Sequence, residues 1–554
     1  MCLVSWLIVA FGQPAWNVYF GIFASAIGYA LFWRVLLCYP SKKERFYLAT
    51  SWFTLVQLVQ LSWFISHPYY YIFSVYFIVS LLMGIQFGLL GIFIDLNHLR
   101  RFVSLLAIAG LWVLFEWSRL FLLSGLSWNP LGLALSGNYY SLQAASIAGA
   151  FGLSFWVILV NLLALKAWCF PYKKVNLILW VGAATLPYLF GFAHVNVHES
   201  YIAENTVPTF NAVLVQTNFP LEEELGIKDR EQMVNLVISE WRQILNILKK
   251  QLNNQIDLIV LPEFVVPYGT YSFVFPYEVV REAFIEAFGN ESLSSLPALE
   301  LPLAYQFKTS DGRSYNLVNN AFWSQAIANH FNTGLLIGLE DAEQVPSGNV
   351  ELYSAALYFR PSHTLESTFI KPVGRYEKRI LVPMGEYIPF AFCRTLAAAY
   401  GVQGSFTSGK NAKVFNAGNN VPFGISICYE ETFGNIVREN KHKGAILLTN
   451  LTNDAWYPNS RLTRQHFDHA RLRTVECGIP LIRACNTGIT GAIDSLGRDI
   501  LVLNEYNEKS EPLSDSLHVS VPLYHFSTLY TFFGDSLVVG LSMFFVIAFL
   551  RLKK

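Results

Sequence analysis

Three residues with complementary chemistry end or flank apolar runs in the second half of the chain: Glu263, Lys378 and Cys428. A thiol that attacks an acyl group needs a base to take its proton. It also needs a positive group or an N–H donor to hold the oxyanion. A carboxylate, an ammonium and a thiol are sufficient for acyl transfer, so these residue types predict a base, a cation and a nucleophile.

Cys428 occupies the most informative of these positions. It ends the apolar run 423–428, and Glu430, Glu431 and Thr432 follow closely. This pattern favours a buried strand that leads into the start of a helix. A thiol at such a junction is held rigidly, and we expect the helix dipole to lower its pKa. Taken alone, a cysteine on a buried strand is more often a small core residue.

Large parts of the chain are apolar enough to lie in a membrane. Of its 554 residues, 53% are hydrophobic and 14% are charged, against roughly 25% charged in soluble domains. The pattern predicts about eight transmembrane helices, over 2–11, 17–38, 47–66, 70–94, 103–124, 143–165, 176–194 and 527–550. The first range is also compatible with a signal-peptide core, but no cleavage site follows it, so we expect a short or tilted span.

Positive charges lie in alternate loops between these segments. They are Arg34, Lys42, Lys43, Arg45, Arg100, Arg101, Lys166, Lys173, Lys174, Arg551, Lys553 and Lys554. The positive-inside rule places both termini in the cytoplasm. We therefore predict a membrane domain over 1–194, an extracytoplasmic domain over 195–526, and a final span with a basic tail over 527–554.

The block 195–526 alternates short apolar runs with helical patterns, which predicts an α/β layered domain. The predicted strands are 211–216, 258–261, 334–339, 355–359, 424–428, 445–448 and 481–485. Helical patterns cover 229–251 and 461–477. Residues 271–330 are mixed in character, and we interpret them as an insertion.

Composition also excludes several classes of function. Lys+Arg and Asp+Glu both number 39, so no basic surface predicts a nucleic-acid partner. No C-x-x-C pair occurs among the seven cysteines, which argues against a zinc or redox motif. A disulfide between two of the four cysteines in the soluble block stays open. His466 and His469 lack an evident third metal ligand, so we expect packing roles. We predict no metal, no cofactor and a monomer.

The sequence around the three polar residues is similar to a known family. It reads L-P-E at 261–263, Y-x-K-x-x-L-V-P-x-G-E-Y-I-P at 376–389 and I-C-Y-E at 427–430. These motifs resemble the nitrilase superfamily. Together with the membrane segments, the chain resembles the apolipoprotein N-acyltransferases of bacterial envelopes. Further similar stretches are 116–119, 123–128, 451–457 and 465–476.

The resemblance implies an αββα sandwich and a ping-pong reaction at the bacterial inner membrane. Cys428 would take an acyl chain from a phospholipid as a thioester. The α-amino group of the N-terminal diacylglyceryl cysteine of an apolipoprotein would then receive it. Glu263 would be the general base, and Lys378 would hold the oxyanion with the Tyr429 backbone N–H. The resemblance gives supporting roles to Glu386, Tyr429 and Glu430.

Several alternatives remain at this stage. Lys371 competes for the lysine role, although the family spacing to Glu386 prefers Lys378. A membrane-anchored nitrilase-type amidohydrolase would pass the acyl group to water instead of an amine. A non-enzymatic transporter or lipid-binding scaffold would keep full function after Cys428→Ala.

Two further features have both a packing and a lipid interpretation. The aromatic segments 264–275 and 388–392 are hypothesised to face the bilayer, with core packing as the alternative. Glu116 and Arg119 lie three residues apart within a span. They are either a structural ion pair or a headgroup site.

Overall fold

The computed structural model describes residues 1–221, 225–227, 229–308, 314–345, 348–362, 374–399, 405–503 and 513–552. Its N-terminal part is helical, as the long apolar segments predict. The helices are α1 (Cys2–Ala10), α2 (Val18–Phe23), α3 (Tyr29–Leu36), α4 (Lys42–Gln60), α5 (Tyr71–Gly91), α6 (Leu96–Arg100), α7 (Phe102–Ser118), α8 (Tyr139–Leu142), α9 (Ala145–Cys169) and α10 (Lys174–Glu204).

Among the described residues, five helical segments are long and apolar enough to cross a membrane. They are Val18–Leu36, Tyr71–Gly91, Phe102–Phe121, Ala145–Cys169 and Lys174–Glu204. Helix α1 has only nine residues, and the polar Gln57 and Gln60 are buried in α4. A multi-span helical membrane part is therefore confirmed, whereas the number of eight spans stays a prediction.

Helices α4 and α5 pack closely because two glycines of α5 face two threonines of α4. A Cβ atom at Gly84 would overlap the hydroxyl of Thr54, and one at Gly88 would overlap the hydroxyl of Thr50. Small residues let helix backbones approach each other inside a membrane, where packing rather than the hydrophobic effect holds helices together. This pair of contacts fixes α4 against α5.

The second part of the chain forms two six-stranded sheets and a three-stranded one. The strands are β1 (Thr209–Gln216), β2 (Leu258–Val260), β3 (Phe275–Pro276), β4 (Ala304–Lys308), β5 (Ser314–Val318), β6 (Gly334–Gln344), β7 (Val350–Phe359), β8 (Gly374–Glu377), β9 (Val414–Asn416), β10 (Pro422–Ile427), β11 (Leu447–Thr452), β12 (Leu481–Cys485), β13 (Gly491–Ile493), β14 (Asp499–Val502) and β15 (Asp515–Pro522). Their orders are β15-β1-β2-β6-β7-β8, β14-β13-β12-β11-β10-β9 and β3-β5-β4.

In the described part of the chain, six helices lie among and around these sheets. They are α11 (Arg230–Lys249), α12 (Tyr277–Phe288), α13 (Asn320–Phe331), α14 (Arg394–Ala399), α15 (Gly434–His442) and α16 (Leu462–Cys477). Two more, α17 (Leu529–Phe533) and α18 (Ser536–Leu552), return the chain to the membrane part. Helix α18 is apolar but shorter than the five candidate spans.

Side-chain alternation along β1 shows how the layers form. Leu214 packs in the core between the two sheets, whereas Val213 and Val215 pack in the core beneath α11 and α13. On that outer face Trp241 of α11 and Trp323 of α13 stack with ring centroids 5.3 Å apart. Strands that are buried on both faces have nearly continuous apolar sequences. The predicted αββα sandwich is confirmed.

Only part of the stretch 271–330 is an insertion into the sandwich. It supplies the small sheet and α12, but α13 belongs to the sandwich itself, and Trp323 is fully buried there. The neighbouring segment 264–275 also contributes to this core through Val265, Val266 and Phe275. The hypothesis that these three face the bilayer is wrong, whereas Phe390 is exposed.

The membrane helices and the sandwich share one hydrophobic core. Tyr429 and Phe433 of the sandwich pack in the same cluster as the membrane helices. Helix α9 is interrupted at Gly149, whose φ is +63°, and the freed N–H of Ala150 donates to Glu476 of α16 at 2.8 Å. A break in a span is tolerated where a neighbouring group satisfies the backbone. This contact fixes α16 against α9.

The intramembrane pair Glu116 and Arg119 is structural in this arrangement. Glu116 Oε1 lies 3.7 Å from Arg119 and accepts hydrogen bonds at 2.8 Å from the Trp112 indole and from the N–H of Leu131. Both charged side chains are buried. The pair therefore ties α7 to the loop that follows it, rather than facing a lipid headgroup.

Candidate active site

The three residues singled out by the sequence lie just beyond the ends of three strands. Glu263 follows β2, Lys378 follows β8, and Cys428 follows β10. Strands β2 and β8 belong to one sheet and β10 to the other. The site therefore lies where the two layers of the sandwich meet at one edge, and the fold brings together residues up to 165 positions apart in the chain.

Lys378 is buried between two carboxylates. Its Nζ atom donates to Glu263 Oε1 at 2.8 Å and to Glu386 Oε1 at 2.6 Å. Burial opposes its charge, but the two carboxylates outweigh burial and raise the pKa of Lys378. One ammonium is thus shared by two carboxylates. Burial raises the pKa of Glu263, and the negative charge of Glu386 raises it further.

Cys428 is partly accessible, while Glu263 behind it is 4% exposed. The thiol lies close enough to the Glu263 carboxylate for the two groups to interact electrostatically. Burial raises the pKa of Cys428, and the negative charge of Glu263 raises it further. The expected lowering by a helix dipole is wrong, because a short 3₁₀ turn over Cys428–Thr432 follows β10 and α15 begins only at Gly434. A thiol with a raised pKa carries little thiolate unless a neighbouring base removes its proton.

Glu430 holds the strand ends around the site in place. Its carboxylate accepts hydrogen bonds from the N–H of Ile427 at 2.8 Å and the hydroxyl of Tyr376 at 2.8 Å. It also accepts from the N–H groups of Arg379 at 2.5 Å and Ile380 at 3.2 Å. These donors flank Cys428 on one side and Lys378 on the other. Glu430 therefore fixes the nucleophile relative to the cation without touching either.

Glu386 and Tyr429 also lie where the sequence analysis places them. Besides Lys378, Glu386 accepts from the N–H of Val382 at 2.8 Å, which closes the turn after the lysine. The Tyr429 hydroxyl donates to the carbonyl of Gly125 at 2.9 Å, and its ring stacks on Trp128. The residue next to the nucleophile is thus attached to a loop of the membrane part.

Gly338 of β6 positions the loop that carries Glu263, and the sequence analysis missed it. A Cβ atom there would lie 2.5 Å from the carbonyl oxygen of Pro262 and 2.6 Å from Glu263 Cα. The backbone of Gly338 donates to Pro262 and accepts from Val265 at 3.1 Å each. Only a residue without a side chain lets β6 approach the Glu263 loop so closely. No motif in the sequence marks this glycine.

Gly338→Ala should therefore displace Glu263 while leaving the fold largely intact. We expect kcat to fall by about 10- to 100-fold, because small misplacements of a catalytic group are costly. The added methyl should also lower stability by roughly 1–3 kcal/mol. Steady-state kinetics and thermal unfolding check both effects. Gly182→Ala is the matched control, since a Cβ there meets no atom within 4 Å. An unchanged kcat in Gly338→Ala would contradict this role.

The remaining site predictions concern the cysteines, two histidines and a rival lysine. All seven cysteines are free thiols, so no disulfide forms in the soluble block. His466 and His469 are both buried, and the described residues contain no cluster of three or more His, Cys, Asp or Glu able to hold a metal. The rival Lys371 lies outside the described residues, as do Lys553 and Lys554 of the basic tail.

Two family models match the chain over separate ranges. The model described as carbon-nitrogen hydrolase matches residues 235–543, which contain Glu263, Lys378 and Cys428. The model described as apolipoprotein N-acyltransferase N-terminal domain matches residues 2–163, within the helical membrane part. The two matches together follow the division between membrane helices and sandwich.

Two relatives align with nearly the whole of this chain. The apolipoprotein N-acyltransferase of Chlamydia pneumoniae is 33% identical, over 96% of this chain and 93% of its own length. That of Chlamydia caviae is 32% identical, over 98% and 95%. Among solved structures, a carbon-nitrogen hydrolase from Helicobacter pylori G27 is 15% identical with a TM-score of 0.33, covering 57% of this chain and 90% of that one.

Proposed function

Because this chain belongs to the apolipoprotein N-acyltransferase family, we propose that it transfers an acyl chain from a phospholipid to the α-amino group of the N-terminal diacylglyceryl cysteine of apolipoproteins. The observation that supports this most directly is the Cys428 thiol beside Glu263, with Lys378 buried next to them. The attachment of the neighbouring Tyr429 to the membrane part adds to it, since a lipid donor must reach the thiol from the bilayer.

In the first half-reaction, Glu263 takes the proton of the Cys428 thiol as sulfur attacks the ester carbonyl of the phospholipid. The Lys378 ammonium and the Tyr429 backbone N–H hold the oxyanion of the tetrahedral intermediate. When the intermediate collapses, the ester C–O bond breaks and Glu263 returns the proton to the departing lysophospholipid oxygen. The acyl chain remains on Cys428 as a thioester.

In the second half-reaction, the α-amino group of the acceptor attacks the thioester carbonyl. Glu263 takes a proton from the amine, and the same two donors hold the new oxyanion. The C–S bond then breaks, an amide forms, and the proton passes from Glu263 to the Cys428 thiolate. The enzyme returns to its starting state, so one carboxylate serves both halves of a ping-pong cycle.

The protein is a multi-pass membrane protein of an acyltransferase family, and we propose its orientation from the loop charges. Both termini lie in the cytoplasm, and the sandwich over 195–526 lies on the periplasmic face of the bacterial inner membrane. The membrane domain covers 1–194, although α10 continues without a break to Glu204. The chain acts as a monomer in this proposal.

The choice of acceptor separates acyl transfer from hydrolysis. Purified full-length protein in phospholipid vesicles should convert a diacylglyceryl peptide with a free α-amino group into the triacylated peptide. The same peptide with an acetylated amino group should remain unchanged and should release little free fatty acid. Equal fatty-acid release with both peptides would instead identify an amidohydrolase-type transfer to water.

A further inference from the structure

His466 of α16 lies directly beneath the nucleophile. Its Nε2 atom is 3.2 Å from the backbone carbonyl oxygen of Cys428, and its Nδ1 atom is 3.0 Å from Asp454 Oδ1. The His466 side chain is fully buried. Neither His466 nor Asp454 belongs to the acyl-transfer machinery described above, yet both are built into the support of Cys428.

The orientation of the His466 ring is fixed from both sides. A carbonyl oxygen only accepts, so Nε2 is the donor to Cys428, while Nδ1 faces the Asp454 carboxylate. Asp454 lies 3.5 Å from the guanidinium of Arg483, which also donates to Glu431 at 2.8 Å. All four side chains are buried. The Nε2 atom of His466 also lies 3.6 Å from Glu431 Oε2, so the ring contacts this network on both of its nitrogen atoms.

The backbone that His466 supports is strained. Cys428 has a φ of +48°, a conformation that costs a residue with a side chain roughly 1–3 kcal/mol and persists only where its surroundings enforce it. Asn450 also donates to the same carbonyl, at the longer distance of 3.4 Å. Two donors on one carbonyl hold the Cys428 peptide in the rotation that directs the thiol towards Glu263.

We propose that His466 is a positioning residue for the nucleophile: through the Cys428 carbonyl it keeps the thiol within reach of Glu263 in both half-reactions. This inference rests on the proposed role of Cys428 and assigns the imidazole no contact with either substrate. Asp454 sets the ring so that Nε2, rather than Nδ1, faces the nucleophile. The two histidines of α16 therefore differ in role, although they look alike in the sequence.

His469 provides the matched comparison within the same helix. It is equally buried, and its ring meets the edge of Trp128 at 5.5 Å, as does that of His466. Within the described part of the chain, neither nitrogen of His469 has a hydrogen-bond partner. Burial lowers the pKa of His469, and the charge of Arg473 adds to this. His469 therefore packs as a neutral ring.

The test compares His466→Leu, His466→Gln and His466→Asn with His469→Leu in the full-length protein. The rate of acyl-thioester formation in a single turnover should fall by about 10- to 100-fold in His466→Leu, from one lost hydrogen bond to a strained carbonyl. The KM for phospholipid should not change. Gln places its amide nitrogen near the position of Nε2 and should restore most of the rate, whereas Asn places it near Nδ1 and should not. His469→Leu should keep the wild-type rate.

The rate at which iodoacetamide alkylates Cys428, followed by peptide mass mapping, measures the positioning of the thiol without any lipid. We expect His466→Leu and His466→Asn to be alkylated about 10-fold more slowly than wild type, and His466→Gln and His469→Leu at the wild-type rate. Equal rates for His466→Leu and His469→Leu, or equal rescue by Gln and Asn, would overturn the proposal. If His466→Leu fails to fold, the comparison of Gln with Asn decides alone. If the variants show the expected alkylation rates but the wild-type protein forms no acyl thioester, the proposed function is overturned instead.

Discussion

Cys428→Ala is expected to reduce acyl transfer by at least about four orders of magnitude, because removing a covalent nucleophile eliminates the intermediate and leaves only binding and oxyanion stabilisation. The fold should survive, since Cys428 is only partly buried and alanine is a smaller residue. Formation of triacylated peptide from phospholipid, followed by chromatography, measures the loss. Thermal unfolding of the same preparation shows whether the protein is intact.

Cys393→Ala is the matched control for this loss. Cys393 is another partly buried free thiol of the same domain, but it lies in a separate short turn over Ala391–Cys393. It should keep wild-type activity. A Cys428→Ala protein that still transfers acyl chains would favour a scaffold or transporter with no need of the thiol.

Glu263→Gln is expected to lower kcat by about 10²- to 10⁴-fold, the usual contribution of a general base. The reason lies in the raised pKa of the Cys428 thiol, which leaves little thiolate without a base beside it. Glutamine keeps the shape of the side chain and still meets Lys378, which retains Glu386 as its counter-charge. Single-turnover thioester formation measures the effect.

The pH dependence of activity is an independent test of Glu263 as the base. Burial raises the pKa of Glu263, so a growing share of the carboxyl is protonated and unable to accept a proton as pH falls through that pKa. Wild-type activity should therefore rise with pH over this range, and Glu263→Gln should lose that dependence. Glu340→Gln is the control, because burial also raises the pKa of Glu340 but this side chain lies on β6 outside the site. An unaltered pH profile in Glu263→Gln would contradict the assignment of the base.

The sequence predicted the sandwich well where strands are buried on both faces. The apolar run 481–485 coincides with β12, and the helical pattern 461–477 differs from α16 by one residue. Such patterns follow from local periodicity alone. The small sheet of β3, β4 and β5 was not predicted, because its strands are short and its outer face carries exposed aromatic residues such as Tyr305.

The site was predicted as a set of residues but not as a network. Residue types and family motifs singled out Glu263, Lys378 and Cys428, and the structure brings Lys378 into contact with Glu263. The sequence could not show that Lys378 is shared by two carboxylates, or that burial reverses the expected shift in the thiol pKa. Both depend on how deeply side chains from distant strands are packed. Local sequence carries no information on that depth.

The roles of Gly338 and His466 could not be predicted from the sequence either. Gly338 matters because the Glu263 loop approaches its backbone too closely to leave room for a Cβ atom. His466 matters because its partners, Cys428 and Asp454, follow β10 and β11. No motif marks Gly338, and the sequence indicated only a packing role for His466. Contacts between elements, rather than motifs, give these residues their roles.

The most direct test of the central claim is the intact mass of the full-length protein after incubation with a phospholipid and no acceptor. The account predicts a mass increase of one acyl chain, mapped to the Cys428 peptide and released by hydroxylamine and by an acceptor peptide with a free α-amino group. Cys428→Ser should form no hydroxylamine-sensitive adduct. An active preparation without this thioester, or with the acyl chain on another residue, would contradict the mechanism.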